Sequence, residues 1–255
     1  MKPFTSVEVL GSPVACLSKE SVAEQVIAWA DKNDRAYAIE AADVHVITRA
    51  RHEHSFRKCM GNFDMICPDG MPVLWSINRA LPKHERLADR VCGADLMEEV
   101  MQQTAKSGEQ SHFLLGGAEG TLKNLSDIFP TKIANVKIAG TYSPPFGEWP
   151  IDEFDRICQK IKNSGAAHVW VGLGCPKQER WISENKHKLP SACYYGVGAA
   201  FAFHAGEISR APKLFQKTGT EWFYRLIREP RRLWRRYFTY NSLFLRYQIS
   251  DWRKN

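Results

Sequence analysis

One carboxylate stands apart from the other Asp and Glu side chains of this chain. Asp69 sits in Pro68-Asp69-Gly70, after the apolar run Phe63-Asp64-Met65-Ile66-Cys67 and before Met71-Pro72-Val73-Leu74-Trp75. The run reads as a short buried strand. The segment after it reads as a helix start, because Pro72 falls in a first turn, where a missing N–H costs nothing. A carboxylate between the two faces the carboxyl edge of an open α/β sheet, where such sheets bind ligands. Gly70 lets a ligand or a second backbone come close. On local grounds two roles are open to Asp69: capping the following helix, or working chemically in the crevice.

Other strand ends add polar groups and glycines: Ala42-Asp43-Val44-His45, Gly116-Gly117-Ala118-Glu119, Gly172-Leu173-Gly174-Cys175-Pro176-Lys177-Gln178-Glu179 and Gly196-Val197-Gly198. Glycine-rich turns that open onto helix N-termini present backbone N–H groups suited to diphosphate oxygens. Glycine serves simple helix–sheet packing equally well. His45 is a second candidate base, although a lone His at a helix start also has structural uses. Cys175, at a strand-to-helix turn, is the one thiol whose setting could lower its pKa. The seven cysteines are scattered and never form Cys-x-x-Cys, which argues against a disulfide framework or a zinc site. No Asp-x-Asp and no His/Asp/Glu set occurs at a strand end, so neither a metal nor another cofactor is expected. The first strand lacks Gly-x-Gly-x-x-Gly, which tells against a nucleotide-dependent oxidoreductase.

The elements that position these residues follow from periodicity. A small hairpin is expected over residues 6–10 and 14–17, then a helix capped by Ser18 with Val22, Val26 and Ala30 on one stripe. Strands at 36–41, 63–67, 112–115, 136–139, 168–171 and 193–195 alternate with helical segments, which means right-handed βαβ units and a mostly parallel sheet with helices on both faces. The polar stretch 82–90 reads as a loop and a candidate lid. No run of about 18 apolar residues and no basic-then-apolar N-terminus occurs, so the expectation is a cytoplasmic chain without span or signal peptide.

Charge divides the chain in two. Residues 207–255 hold 12 Lys+Arg against 4 Asp+Glu, leaving 23 against 24 for residues 1–206. A core over 1–206 and a basic, amphipathic, helical appendage over 207–255 are therefore expected. Pro230 can open a helix on which Arg231 with Arg235 and Arg232 with Arg236 are like-charge i,i+4 pairs, which something anionic should relieve. Leu233, Trp234, Tyr237 and Phe238 supply an apolar, aromatic side, the make-up of a helix in a membrane interface. Arg225, Arg228, Arg231, Arg232, Arg235 and Arg236, with Trp234, are the expected membrane contacts, at roughly 1 kcal/mol per basic residue near an anionic leaflet. The alternative is a solvated basic face packed on the protein by its aromatics. No nucleic-acid recognition motif accompanies the tail.

Taken in order, Pro68-Asp69-Gly70-Met71-Pro72, Arg90-Val91-Cys92-Gly93-Ala94-Asp95-Leu96, Phe113-Leu114-Leu115-Gly116-Gly117, Ser143-Pro144-Pro145-Phe146, Gly172 to Glu179, Gly196-Val197-Gly198, and His204-Ala205-Gly206 running to Arg210-Ala211-Pro212 resemble the WecG/TagA/CpsF family of bacterial glycosyltransferases. The resemblance implies a Rossmann-like core and an inverting, metal-independent transfer from a UDP-sugar to a polyprenyl-diphosphate-linked acceptor. The sugar would be N-acetylmannosamine, its uronic acid or a related hexose, used in cell-surface polysaccharide synthesis. It also implies peripheral attachment to the anionic inner face of the bacterial plasma membrane. Asp69 matches the family's proposed base, and Arg90 and Gln178 match polar residues of its cleft. Asp43, His45, Gly116, Gly117, Lys177, Glu179 and Gly198 are the further substrate-binding candidates, and a second copy of the chain is a conceivable partner. The chain has Ala41-Ala42-Asp43 where many members have Thr-x-Asn, and Phe201-Ala202-Phe203 where many have Phe-Asp-Phe.

Overall fold

The structure, a computed structural model, describes residues 4–252. An antiparallel hairpin comes first, β1 (Ser6–Val9) and β2 (Ser12–Ala15), with Val9 opposite Ser12. Its two-residue turn, Leu10-Gly11, has both residues at positive φ, 50° and 82°, which matches the twist of the strands. It is tighter than the three-residue connection expected from Gly11-Ser12-Pro13.

The remaining elements alternate. They are α1 (Lys19–Lys32), β3 (Ala36–Ala42), α2 (Val44–His52), α3 (His54–Gly61), β4 (Met65–Pro68), α4 (Met71–Ala80), α5 (Gly93–Ser107), β5 (His112–Leu115), α6 (Glu119–Lys132), β6 (Ile138–Tyr142), α7 (Glu153–Ser164), β7 (His168–Val171), α8 (Lys177–Asn185), β8 (Ala192–Gly196), α9 (Ala200–His204), α10 (Lys213–Lys217), α11 (Glu221–Arg228) and α12 (Pro230–Trp252). Ser18 caps α1 as expected, its hydroxyl accepting from the Ser21 amide at 3.2 Å. Helix α3 was not anticipated, because its buried residues Phe56, Cys59 and Met60 sit among charges that mask the period.

Six parallel strands form one sheet in the order β4-β3-β8-β7-β5-β6. Pro68 is accommodated because β4 is an edge strand, where the missing N–H breaks no ladder. Side chains alternate across the sheet. Ala36, Ala38 and Ala42 join the core under α2, α3, α4, α7 and α8, whereas Tyr37 and Ile39 join the core under α1, α5, α6 and α9. Glu40 shares the parity of Ala38 and Ala42, which puts a carboxyl group under α3 and α8.

The chain leaves β3 toward α2 on one face and β8 toward α9 on the other, so the two strand ends part and open a crevice. The ends of β7 and β5 part in the same way, toward α8 and α6. Loop 82–90 is tied down rather than free-standing: the Asn78 side chain accepts from the Leu87 amide and donates to its carbonyl, both at 2.8 Å.

Candidate functional site

A cleft of about 670 Å³ lies over the β3/β8 crevice. Ala41 and Asp43 reach it from the end of β3, Asp69 and Gly70 from β4, Cys175 and Gln178 from β7, and Val197 and Gly198 from β8. Arg225, Arg232 and Arg236 close it from the C-terminal helices.

Asp69 does not cap α4. Gly70, at φ 95°, occupies the cap position and no side chain bonds that helix end. The Asp69 amide instead ties to the Ala42 carbonyl at 3.1 Å. Its carboxylate faces Arg90, whose Nη1 lies 3.5 Å from Oδ1 and whose Nη2 bonds Glu221 of α11. Burial is the largest influence on the Asp69 carboxyl and raises its pKa. Arg90 and the Gly93 amide pull it back, Asp43 and Glu221 add to the rise, and the result is about 7. With 22% of the side chain still exposed, the group remains reachable from the cleft. A carboxylate poised near neutral pH is a far better base than one at the ordinary value of about 3.9.

Asp43 is the residue that caps. It accepts from the Val46 amide of α2 at 3.0 Å and from Arg236 Nη2 at 2.7 Å. Burial works to raise its pKa, but Arg236 and the Val46 amide outweigh it and hold the carboxylate ionised. His45 stands edge-on to Tyr240 at 4.4 Å, and burial, opposed by Asp43, lowers its pKa to about 4. It is a neutral imidazole at pH 7.

Helix α12 is bolted to the core. Tyr247 meets His52 at 2.9 Å, Arg51 pairs with Asp251 at 3.3 Å, and Gln248 bonds Ser76 at 2.9 Å. Its aromatic stripe therefore splits. Leu233, Tyr237 and Phe244 are buried against the protein, whereas Trp234, Phe238 and Ile249 are exposed, and Leu245 is exposed at the cleft. The like-charge pairs split as well: Arg236 is neutralised by Asp43 and Arg232 by Glu229 at 2.6 Å, both carboxylates of this chain. Arg225, Arg232 and Arg236, read from sequence as membrane contacts, line the cleft; Arg228, Arg231 and Arg235 stay on the outer surface.

Residues 7–255 match the model of the glycosyl transferase WecG/TagA/CpsF family. The chain belongs to this family. Membership makes it a glycosyltransferase and implies a nucleotide-sugar donor and a glycan acceptor.

Seen as a glycosyltransferase site, the cleft gathers most of the residues singled out in the sequence, but not all. Asp69, Asp43, His45, Arg90, Gln178, Glu179 and Gly198 line it. Gly116, Gly117 and Lys177 do not. A Cβ on Gly116 would meet the Gly172 backbone at 2.9 Å, so that glycine serves close packing; Gly117, with ordinary room for a Cβ, serves a backbone at φ 79°. Lys177 turns away, its Nζ 3.5 Å from the Gly147 carbonyl and 4.3 Å from the centre of the Trp149 ring. Cys175 lines the cleft, but burial and the nearby carboxylates Glu179, Glu40 and Asp43 push its thiol pKa up, which removes its nucleophilic potential. Sequence reasoning missed Glu40 and Glu221. Glu40 had a signal, a lone carboxylate inside an otherwise apolar strand; Glu221 had none, since only the fold brings α11 against Arg90.

Proposed function

We propose that this glycosyltransferase moves a sugar from a UDP-sugar to a polyprenyl-diphosphate-linked glycan acceptor, with inversion and with Asp69 as the base. The acceptor hydroxyl oxygen bonds to the anomeric carbon while the bond from that carbon to UDP breaks. The hydroxyl proton passes to Asp69, and the electron pair leaves with the diphosphate. The observation that carries this reading is the Asp69 carboxylate, recessed, reachable and poised near pH 7 in a cleft rimmed by arginines.

Charge on the leaving diphosphate is taken up by Arg225, whose buried Nε has no hydrogen-bond partner among the described residues, so that transfer persists without a divalent metal; full activity in the presence of a chelator is the expected result. Transfer takes place at the inner face of the plasma membrane, in cell-surface polysaccharide synthesis. Support for the membrane comes from the outer surface of the tail, where Phe223, Ile227, Trp234 and Phe238 stand exposed among Arg228, Arg231 and Arg235. Among the described residues no helix is long and apolar enough to cross a membrane. N-acetylmannosamine, its uronic acid or a related hexose is the proposed cargo.

The test is UDP release from UDP-N-acetylmannosamine and other UDP-sugars, with a lipid-linked N-acetylglucosamine or short glycan as acceptor. Asp69→Asn should stop acceptor-dependent release and leave UDP binding intact. Near-normal turnover in that variant refutes the role given to Asp69.

A further inference from the structure

Below the cleft floor two carboxyl groups meet. Glu40 of β3 is 1% exposed and Glu179 of α8 is fully buried. One side chain ties the two together: Gln178 Nε2 lies 3.1 Å from Glu179 Oε1, and a Cβ built on Gly196 would lie 3.0 Å from that same nitrogen and 1.8 Å from Glu40 Oε2. Neither Glu40 Oε2 nor Glu179 Oε2 has a hydrogen-bond partner among the described residues. Gly196, the residue opposite Glu40 in the sheet, leaves the room the Glu40 carboxyl occupies, which any side chain there would fill. Gln178 sits on the same pair. Its Nε2 donates to Glu179 Oε1 at 3.1 Å; the residue borders the cleft, and its own Oε1 is buried and unpartnered among the described residues.

Two ionised carboxylates in contact and out of water repel each other, and each would leave an acceptor unsatisfied. One shared proton removes the repulsion and satisfies both oxygens. We infer that Glu40 and Glu179 share one proton and, so joined, hold Gln178 with its side-chain carbonyl turned to the cleft, where it accepts a hydroxyl or amide N–H of the donor sugar.

Glu40 and Glu179 are thus positioning residues, and the sugar contact rests on the reaction proposed above. The titratable groups facing Glu40 are Glu179, Asp43, Cys59, Cys67 and Cys175, and none of them is a cation. Burial is the largest influence, followed by Glu179, with Asp43 and Cys59 adding, and Glu40 is held well above the usual carboxylate range. Burial likewise raises Glu179, whose hydrogen bonds to Cys175, Glu40 and Gln178 work the other way.

Two measurements test the two halves separately. Stability against pH reads the shared proton without any turnover, and a background of Asp69→Asn removes the other raised carboxyl. A group whose folded pKa exceeds its unfolded value contributes stability that is present at low pH and lost as pH rises to the folded value. Between pH 5 and 8, the folding equilibrium of the Asp69→Asn protein should therefore fall relative to Asp69→Asn/Glu40→Gln, by up to about tenfold per pH unit. Parallel curves overturn the shared proton. Should the double variant not fold, the infrared band of a protonated carboxylic acid decides in Asp69→Asn at pH 8; its absence overturns the inference.

Calorimetric binding of UDP-N-acetylmannosamine against UDP reads the positioning. Glu40→Ala should cost the UDP-sugar about tenfold in affinity relative to UDP, the worth of one hydrogen bond, and Glu40→Gln, which keeps a donor toward Glu179, should restore it. An unchanged ratio in Glu40→Ala overturns the positioning role. If the unaltered protein binds no UDP-sugar, the proposed reaction fails, and with it the sugar contact, while the pH curves still decide the shared proton.

Discussion

The carboxyl edge of the sheet carries two crevices built alike and finished differently. At β5/β7 the Phe201 ring packs on Gly117 and Gly172, and a Cβ on Gly172 would lie 2.6 Å from it. At β3/β8 the gap stays open, and Asp43, Asp69 and Gln178 line a cleft of about 670 Å³ beneath the tail arginines. In sequence both look like glycine turns opening onto helices. A glycine there reports that something comes close; whether that is a ring of the same chain or a ligand depends on what the fold places opposite.

The largest effect that would break the comparison lies in the open crevice. Asp69→Asn should lower kcat by about 10² to 10⁴, the usual reach of general-base help, with UDP affinity unchanged in a calorimeter. Retained turnover would make the two crevices equivalent.

In the filled crevice the cost should fall on stability instead. Gly172→Ala forces a methyl group into Phe201, and about 1–3 kcal/mol of unfolding free energy should be lost in a urea titration, with UDP affinity intact. A loss of UDP affinity at unchanged stability would show that this crevice also binds ligand.

The tail offers the same contrast between an inner and an outer face. Changing the outward Arg231 and Arg235 to Gln should weaken sedimentation with anionic vesicles about thirtyfold, at roughly 1 kcal/mol per residue, and spare turnover of a water-soluble acceptor. Arg236→Gln should do the reverse, because that side chain faces Asp43 inside the cleft. Equal effects on both assays would erase the distinction between the faces.

The gentlest effect is on pH. A base must be unprotonated, so kcat/KM should drop on the acid side with a midpoint about 7, falling tenfold per unit below it. His45, lowered to about 4, should add nothing between pH 6 and 8. A flat profile over that range would remove Asp69 from the proton transfer.

Much of this was legible in the residues. β5 and β7 were bounded correctly, since strands of a parallel sheet are buried on both faces and read as short apolar runs between turn signals. The strand before Asp69 proved shorter at its start, beginning at Met65, and carried Pro68 as its last residue, which is tolerable only because β4 became an edge. The tail's aromatics were readable as a helix but not as two faces. Leu233 and Tyr237 dock on the protein and Trp234 and Phe238 do not, and the helical period alone cannot say which stripe finds a core.

By itself, the sequence determined the alternation of strands and helices, the carboxylate at a strand end, the basic tail and the family. These follow from local periodicity, turn chemistry and charge, which neighbouring residues decide among themselves. Only the tertiary structure decided that Arg236 meets Asp43, that Arg90 bridges Asp69 and Glu221, that Phe201 fills one crevice, and that Glu40 meets Glu179 beneath the other. Each of those contacts joins residues far apart in the chain. Their chemistry depends on desolvation and on the charge opposite, and both come into being only when the sheet closes and α12 lies down on it.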